Sequence, residues 1–190
     1  SDLNLVSNIE LSELDIKNQN LIKEYLPKTK DVLNLKDHKI RASYANKKLK
    51  IEGKGQVKLQ NKFEFIDYDV AHSGSDLNLV SNIELSELDI KNQNLIKEYL
   101  PKTKNILNLK DHKIKLQYKN SNLSVEGLGK ISLDKEFSKI NYTFSKKDKK
   151  YNFETDLEIN DTPIKIDFIN YEKDKNLNSQ LKINGNYNKK

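Results

Sequence analysis

Apolar residues recur at every second position along most of this chain. Ile114, Leu116 and Tyr118 alternate with polar neighbours, as do Leu123 and Val125, Ile131 and Leu133, and Ile140, Tyr142 and Phe144. The pattern runs on through Tyr151 and Phe153, Leu157 and Ile159, then Ile164, Ile166 and Phe168, and ends with Leu181 and Ile183. A period of two sends successive side chains to opposite faces of a strand, so each segment has one apolar and one polar face. The breaks are short and polar: Lys119–Asn122, Asp134–Glu136, Ser145–Lys150, Asn160–Pro163 and Glu172–Asn176. Asn and Asp in such breaks tolerate the backbone angles of tight hairpins. Strands of about ten residues, each roughly 33 Å long, joined this way predict an antiparallel meander. Gly53 and Gly55, and again Gly127 and Gly129, interrupt strand patterns and are expected to mark a bulge or bend.

The chain also repeats itself. "SDLNLVSNIELSELDIKNQNLIKEYLPKTK" begins at Ser1 and returns unchanged at Ser75, an offset of 74 residues. Similarity extends beyond the identical block. "LNLKDHKI" occurs at Leu33–Ile40 and Leu107–Ile114, and "YANKKLKIEGKGQVKL" at Tyr44–Leu59 answers "YKNSNLSVEGLGKISL" at Tyr118–Leu133. A third register keeps only apolar positions: Leu77, Leu79, Ile83, Leu85 and Ile90 align with Tyr151, Phe153, Leu157, Ile159 and Ile164. The chain therefore divides into units 1–74, 75–148 and a partial 149–190, expected to form one continuous β structure. No packing rule fixes solvent-facing Ser, Asn, Glu and Lys, so the identity of the block carries no functional argument, whereas the period does. Within the block, Leu95, Ile96, Tyr99 and Leu100 recur at helical spacing, after Asn92 or Asn94 as a cap and before Pro101 as a stop. A short helix is expected there and at the matching Leu21–Pro27. The fold class is thus mainly β, an elongated meander or repeating groove with one or two short helices.

Composition narrows the choice of function. Hydrophobic residues make up 35% of the chain, and even with glycine added the apolar share stays below the roughly 45–50% of ordinary globular domains. A core closed on both sides is hard to build from that supply. The net charge of +6 comes from lysine, with Arg41 the only arginine. The lysines alternate with Asp, Glu and Asn, which argues against nucleic acid as a partner. Without cysteine there is neither a disulfide frame nor a thiolate metal site. No apolar run approaches the roughly 18–20 residues of a spanning helix. No signal peptide is visible, and the absence of methionine suits a fragment of a larger protein.

Catalytic chemistry is scarce. His38 and His112 occupy equivalent places in "KDHKI" and read as turn histidines beside Asp37 and Asp111, with no second ligand at metal spacing. His72, in "AHSGS", reads as a loop residue. There is no glycine-rich phosphate loop, serine elbow or paired-carboxylate motif. Neither an enzyme nor a cofactor or metal site is expected. Tyr118, Tyr142, Phe144, Tyr151, Phe153 and Phe168 fall on the apolar side of their strands, as a core or as a ligand-facing wall.

Tandem meandering strands, Lys/Asn/Asp-rich turns, glycine-interrupted strands and the "YLP" in "LIKEYLPKTKNILNL" (Leu95–Leu109) together resemble the AsmA-like bacterial envelope proteins of the YhdP and TamB type. The resemblance implies a repeating β-groove, apolar inside, that carries phospholipid acyl chains across the periplasm of a Gram-negative cell. Anchoring to the inner membrane would come from segments outside this chain. It lends no catalytic residues. In that reading the lipid-facing positions are Leu77, Leu79, Ile83, Leu85, Ile114, Leu116, Tyr118, Leu123, Val125, Ile131, Ile140, Tyr142, Phe144, Tyr151, Phe153, Leu157, Ile159, Ile164, Ile166 and Phe168. The competing expectation is a structural or adhesin repeat, a closed sandwich that binds through its polar face.

Overall fold

The computed structural model describes residues 3–17, 26, 28–91, 105–133, 136–159, 163–166, 169–174 and 177–188, with 165 and 166 described by backbone alone. Nine consecutive strands form an antiparallel meander: β1 (Leu5–Lys17), β2 (Val32–Ala45), β3 (Lys48–Lys58), β4 (Phe63–Ser73), β5 (Asp76–Lys91), β6 (Ile106–Lys119), β7 (Asn122–Ser132), β8 (Phe137–Lys147) and β9 (Lys150–Glu158). A short hairpin follows, β10 (Ile164–Ile166) with β11 (Tyr171–Lys173), and β12 (Gln180–Asn188) returns to pair with β9. The result is one open sheet of ten strands with β1 at one edge and β12 at the other.

The turns obey the angles their residues allow. Asn46 and Lys47 have φ of 51° and 59°, and Asn120 and Ser121 have 48° and 65°, so both two-residue hairpins have the doubly positive φ that matches strand twist. Gly74 and Asp148, at φ 59° and 55°, open the next two hairpins. Each of these positions lies 74 residues from its counterpart, and the bounds of β2, β3 and β4 move by the same step onto β6, β7 and β8. In the last unit β9 takes the place of β5 and β12 that of β6, but β9 stops at Glu158. Ile164, aligned in sequence with Ile90, therefore lies in the small hairpin. Pro163, just before it, has no amide for a ladder.

The alternation changes phase in mid-strand. In β5 the inward residues are Leu79, Ser81, Ile83 and Leu85, then Leu88 and Ile90; in β6 they are Leu107 and Leu109, then His112 and Ile114. The slips lie side by side, so Leu85 still faces His112 and Leu88 still faces Leu109. Against β7, which does not slip, the register of β6 shifts between Lys110 and Lys113, and Asp111 has φ of 53°. This is a β-bulge, and β2 repeats it at Asp37, φ 54°. The expected placement of bulges at the glycine pairs is thus corrected: Gly55 and Gly129 lie in the regular strand opposite each bulge. His38 and His112 lie within strands at the bulges and not in turns, because a single left-handed residue suffices for the slip. His72 likewise belongs to β4, opposite Leu77. Glu172 and Lys173, expected in a break, pair with Lys165 and Ile164 in the small hairpin. The helices expected at Leu21–Pro27 and Leu95–Leu100 fall outside the described residues, apart from Leu26.

Burial is concentrated at one end of one face. Leu85, Leu88, Leu107, Leu109, Ile131, Leu133, Leu157 and Ile159 form a cluster that Ile164 of the hairpin covers, with Leu26 and Leu59 packed against it. Each such side chain removed from water contributes roughly 1.5–3 kcal/mol. Unit 1 offers an internal control, because β1 has the sequence of the corresponding part of β5. Leu14 is 43% exposed, whereas its twin Leu88 is 6% exposed. Leu88→Ala is expected to cost about 2–5 kcal/mol by urea unfolding, and Leu14→Ala less than about 1 kcal/mol.

Candidate binding face

Residues directly opposed across an antiparallel ladder point to the same side, so the pairing registers trace rows over the sheet. One row crosses all ten strands: Ile9, Ile40, Gly53, Tyr68, Ser81, Leu116, Val125, Phe144, Phe153 and Gly185. The next row toward the hairpin ends contains Ile51, Val70, Leu79, Tyr118, Leu123, Lys146, Tyr151 and Tyr187. On the other side runs Ile66, Ile83, Ile114, Gly127, Tyr142, Thr155 and Ile183. These rows form an apolar band roughly 43 Å across at the usual strand spacing.

Glycine does not interrupt the band, because a neighbouring ring lies over each bare backbone. A Cβ on Gly53 would fall 2.3 Å from the Tyr68 ring, and one on Gly127 would fall 2.2 Å from Tyr142. His38 covers Gly55, His112 covers Gly129 and Phe153 covers Gly185 in the same way. His112 is 1% exposed, and its Nε2 donates to the Lys130 carbonyl oxygen at 2.8 Å. The carbonyl can only accept, so that nitrogen holds the proton and Nδ1 is left to accept from the Tyr142 hydroxyl at 3.4 Å. His38 Nε2 makes the equivalent bond to the Gln56 oxygen at 3.0 Å. Both histidines thus fasten the bulge to the next strand. No group of three or more metal-binding side chains occurs among the described residues.

The anticipated lipid-facing residues divide into two sets. Leu85, Ile131, Leu157, Ile159 and Ile164 are sealed in the buried cluster. Leu77, Leu79, Ile83, Ile114, Leu116, Tyr118, Leu123, Val125, Ile140, Tyr142, Phe144, Tyr151 and Phe153 share the same face half-buried or exposed, Leu77 at 38% and Phe153 at 40%. The side chain of Ile166 and all of Phe168 lie outside the described residues. The face further includes Ile9, Ile40, Ile51, Ile66 and Tyr68 of unit 1, which the 74-residue offset would have supplied, as well as Tyr187.

The opposite face is mainly polar, with Val6, Phe65, Val80, Leu128 and Phe137 as exposed apolar exceptions. Lys50 donates to Glu52 at 2.6 Å and lies 3.4 Å from Asp69, and Asn82 donates to Asp67 at 2.8 Å. A shallow depression of about 600 Å³ there is lined by Glu10, Lys39, Arg41, Glu52, Lys54 and Asp67 among others. Its charges are mixed in sign and solvated, and exposed pairs of this kind contribute little. No family model, curated protein or solved structure matches the chain.

Two outcomes follow from the ring-over-glycine contacts. Gly127→Ala is expected to lower stability by about 1–3 kcal/mol through overpacking against Tyr142, measured by urea unfolding. The second concerns pH. Burial pushes the His112 imidazole below its ordinary value of 6.5, with the Lys130 carbonyl and Asp111 opposing. The unfolded chain then takes up this proton first, so the contribution is whole above pH 6.5 and is lost as pH falls below it. Burial also pushes the Tyr142 hydroxyl up to about 12 from 10.0, so its contribution is whole below pH 10 and is lost on the way to 12. Urea midpoints should therefore drop on both sides of neutrality, and His112→Gln should flatten the acidic limb.

Proposed function

We propose that this chain is part of a bridge-like lipid-transfer protein of the AsmA-like, YhdP and TamB type. Its apolar band carries phospholipid acyl chains between the inner and outer membranes of a Gram-negative envelope. The observation that supports this reading most is a mainly apolar band, one row of which crosses all ten strands of the sheet, on a face that is covered at one end and half-open elsewhere. An acyl chain laid on such a face gains about 0.8 kcal/mol for each methylene removed from water. The rows run across the strands, along the direction in which repeats are added. Each four-strand unit therefore lengthens the lane by roughly 19 Å without new chemistry. Movement along it needs no catalytic group, only the absence of a deep trap.

Polar anchoring is also at hand. Lys146 interrupts its row between Leu123 and Tyr151, where an ammonium can meet a phosphate headgroup while the acyl chains rest on the neighbours. The contrasting reading, a closed sandwich that binds by its polar face, needs a second full sheet on the apolar band. The second sheet among the described residues has two strands and covers one end.

Native mass spectrometry and lipid extraction of the purified chain test the proposal. Phospholipid or fatty acid is expected to co-purify, and the double substitution Leu116→Asp with Val125→Asp should reduce bound lipid at least about tenfold, each charge being costly on an apolar surface. Thr143→Asp, on the polar face, should leave it unchanged. A lipid-free protein that also ignores fluorescent fatty-acid analogues would overturn the proposal.

A further inference from the structure

The duplicated block appears twice in the sheet, once in the interior and once at the edge. In the interior, the outer side of β5 is held by β4 through a specific set of side chains. The Glu64 carboxylate is 2% exposed. It accepts from Ser86 N at 2.6 Å, Ser86 Oγ at 2.9 Å and Glu87 N at 3.4 Å, which satisfies the amides left over by the phase slip. Gln60 takes the place of a ladder residue, its Nε2 donating to the Asp89 carbonyl at 2.8 Å and its Oε1 accepting from Asp89 N at 3.0 Å. Asp67 completes the set: its carbonyl accepts from Ser81 Oγ and its carboxylate from Asn82, both at 2.8 Å.

Every receiving residue exists again in β1. Ser12, Glu13, Asp15, Ser7 and Asn8 are the twins of Ser86, Glu87, Asp89, Ser81 and Asn82. The strand carries the same slip, with Leu11 facing His38 and Leu14 facing Leu35 as Leu85 faces His112 and Leu88 faces Leu109. The side toward β2 is filled in the same way, down to Asn34 donating to Glu13 and Asp15 as Asn108 donates to Glu87 and Asp89. The outer side holds no strand among the described residues. Because Ser86 N points to β4, Ser12 N points outward.

We propose that the outer edge of β1 is a docking site for one antiparallel partner strand of β4 chemistry: a Gln, a Glu four residues later and an Asp three beyond that. Strand addition supplies the affinity through main-chain bonds, and the Glu and Gln select this strand over others, since only they satisfy the slipped amides. A bare edge of this length is otherwise a template for indiscriminate pairing. Of the two edge strands of a second copy, β12, "QLKINGNYN", offers neither a Glu nor a downstream Asp, and β1 has no Gln four residues before a Glu, so the edges of a second copy do not match the required pattern.

The probe is a synthetic peptide with the sequence of Leu59–Ser73, titrated onto the whole chain by fluorescence anisotropy, with amide hydrogen exchange read in parallel. Saturable binding is expected, with new protection confined to β1 between Ser7 and Asp15. The same peptide with Glu64→Ala should bind at least about tenfold more weakly, as expected for loss of a charge-assisted bond to buried amides. Ser12→Pro in the chain removes the outward donor without touching the ladder to β2 and should abolish binding with the circular dichroism spectrum retained. If that variant does not fold, the peptide series decides. Equal affinity of the two peptides, protection elsewhere, or self-association of the chain that Ser12→Pro prevents without any peptide binding would each overturn the proposal.

Discussion

A slip of one residue in a strand turns every later side chain to the opposite face. The rest of this structure depends on how that slip is managed. Left-handed Asp37 and Asp111 allow β2 and β6 to slip, and β1 and β5 slip beside them, so both halves of each strand keep their apolar residues on one side. The mismatch is passed to β3 and β7, where a glycine faces the bulge and a histidine ring lies on it. Without the paired slip, Leu107 and Leu109 could not share a cluster with residues of Leu85 and Ile131 parity. With it, the apolar band and the buried end are one surface.

The alternation made the strands, their antiparallel pairing and the open-ended repeat legible, because period two and short polar turns admit few other arrangements. The spacing Leu85 to Leu88, and Leu109 to His112, was also present as a change of phase, yet a break in alternation looks the same as a turn until a partner strand shows the residues still paired. For that reason the sequence alone points to turns at the histidines and to bulges or bends at the glycines. The aligned third register led to the place of β9, and the polar break at Asn160–Pro163 separated it from the strand that begins at Ile164. That this strand leaves the large sheet was not legible, since apolar identity alone does not say which strand it pairs with. Of the candidate site, the face was legible and its occlusion was not: Leu157 and Leu116 have the same pattern, and only the hairpin above Leu157 separates them.

One chain thus presents two unlike surfaces. The polar face is largely a lattice of opposed small charges and amides, such as Lys50 with Glu52 and Asn82 with Asp67. The other face gathers most of the apolar side chains and leaves many of them half-exposed. Tyr68, Tyr142 and Phe153 spread over glycine, so the open part of that face is made of flat rings as much as of aliphatic chains. Contacts offered by such a surface are broad and weakly directional.

Among the described residues each strand of the large sheet is joined by backbone ladders only to the strands beside it, and contacts that skip a strand, such as His112 with Tyr142, reach one strand further. Cooperativity in such an arrangement is one-dimensional, a chain of neighbour-to-neighbour couplings. The buried cluster joins the second unit to the third and couples five consecutive strands, β5 to β9, whereas among the described residues β1 pairs with β2 alone. Structure should therefore persist longest around Leu107 and Ile159 and fray inward from Leu5, so that two stretches of identical sequence melt at opposite ends of the same transition.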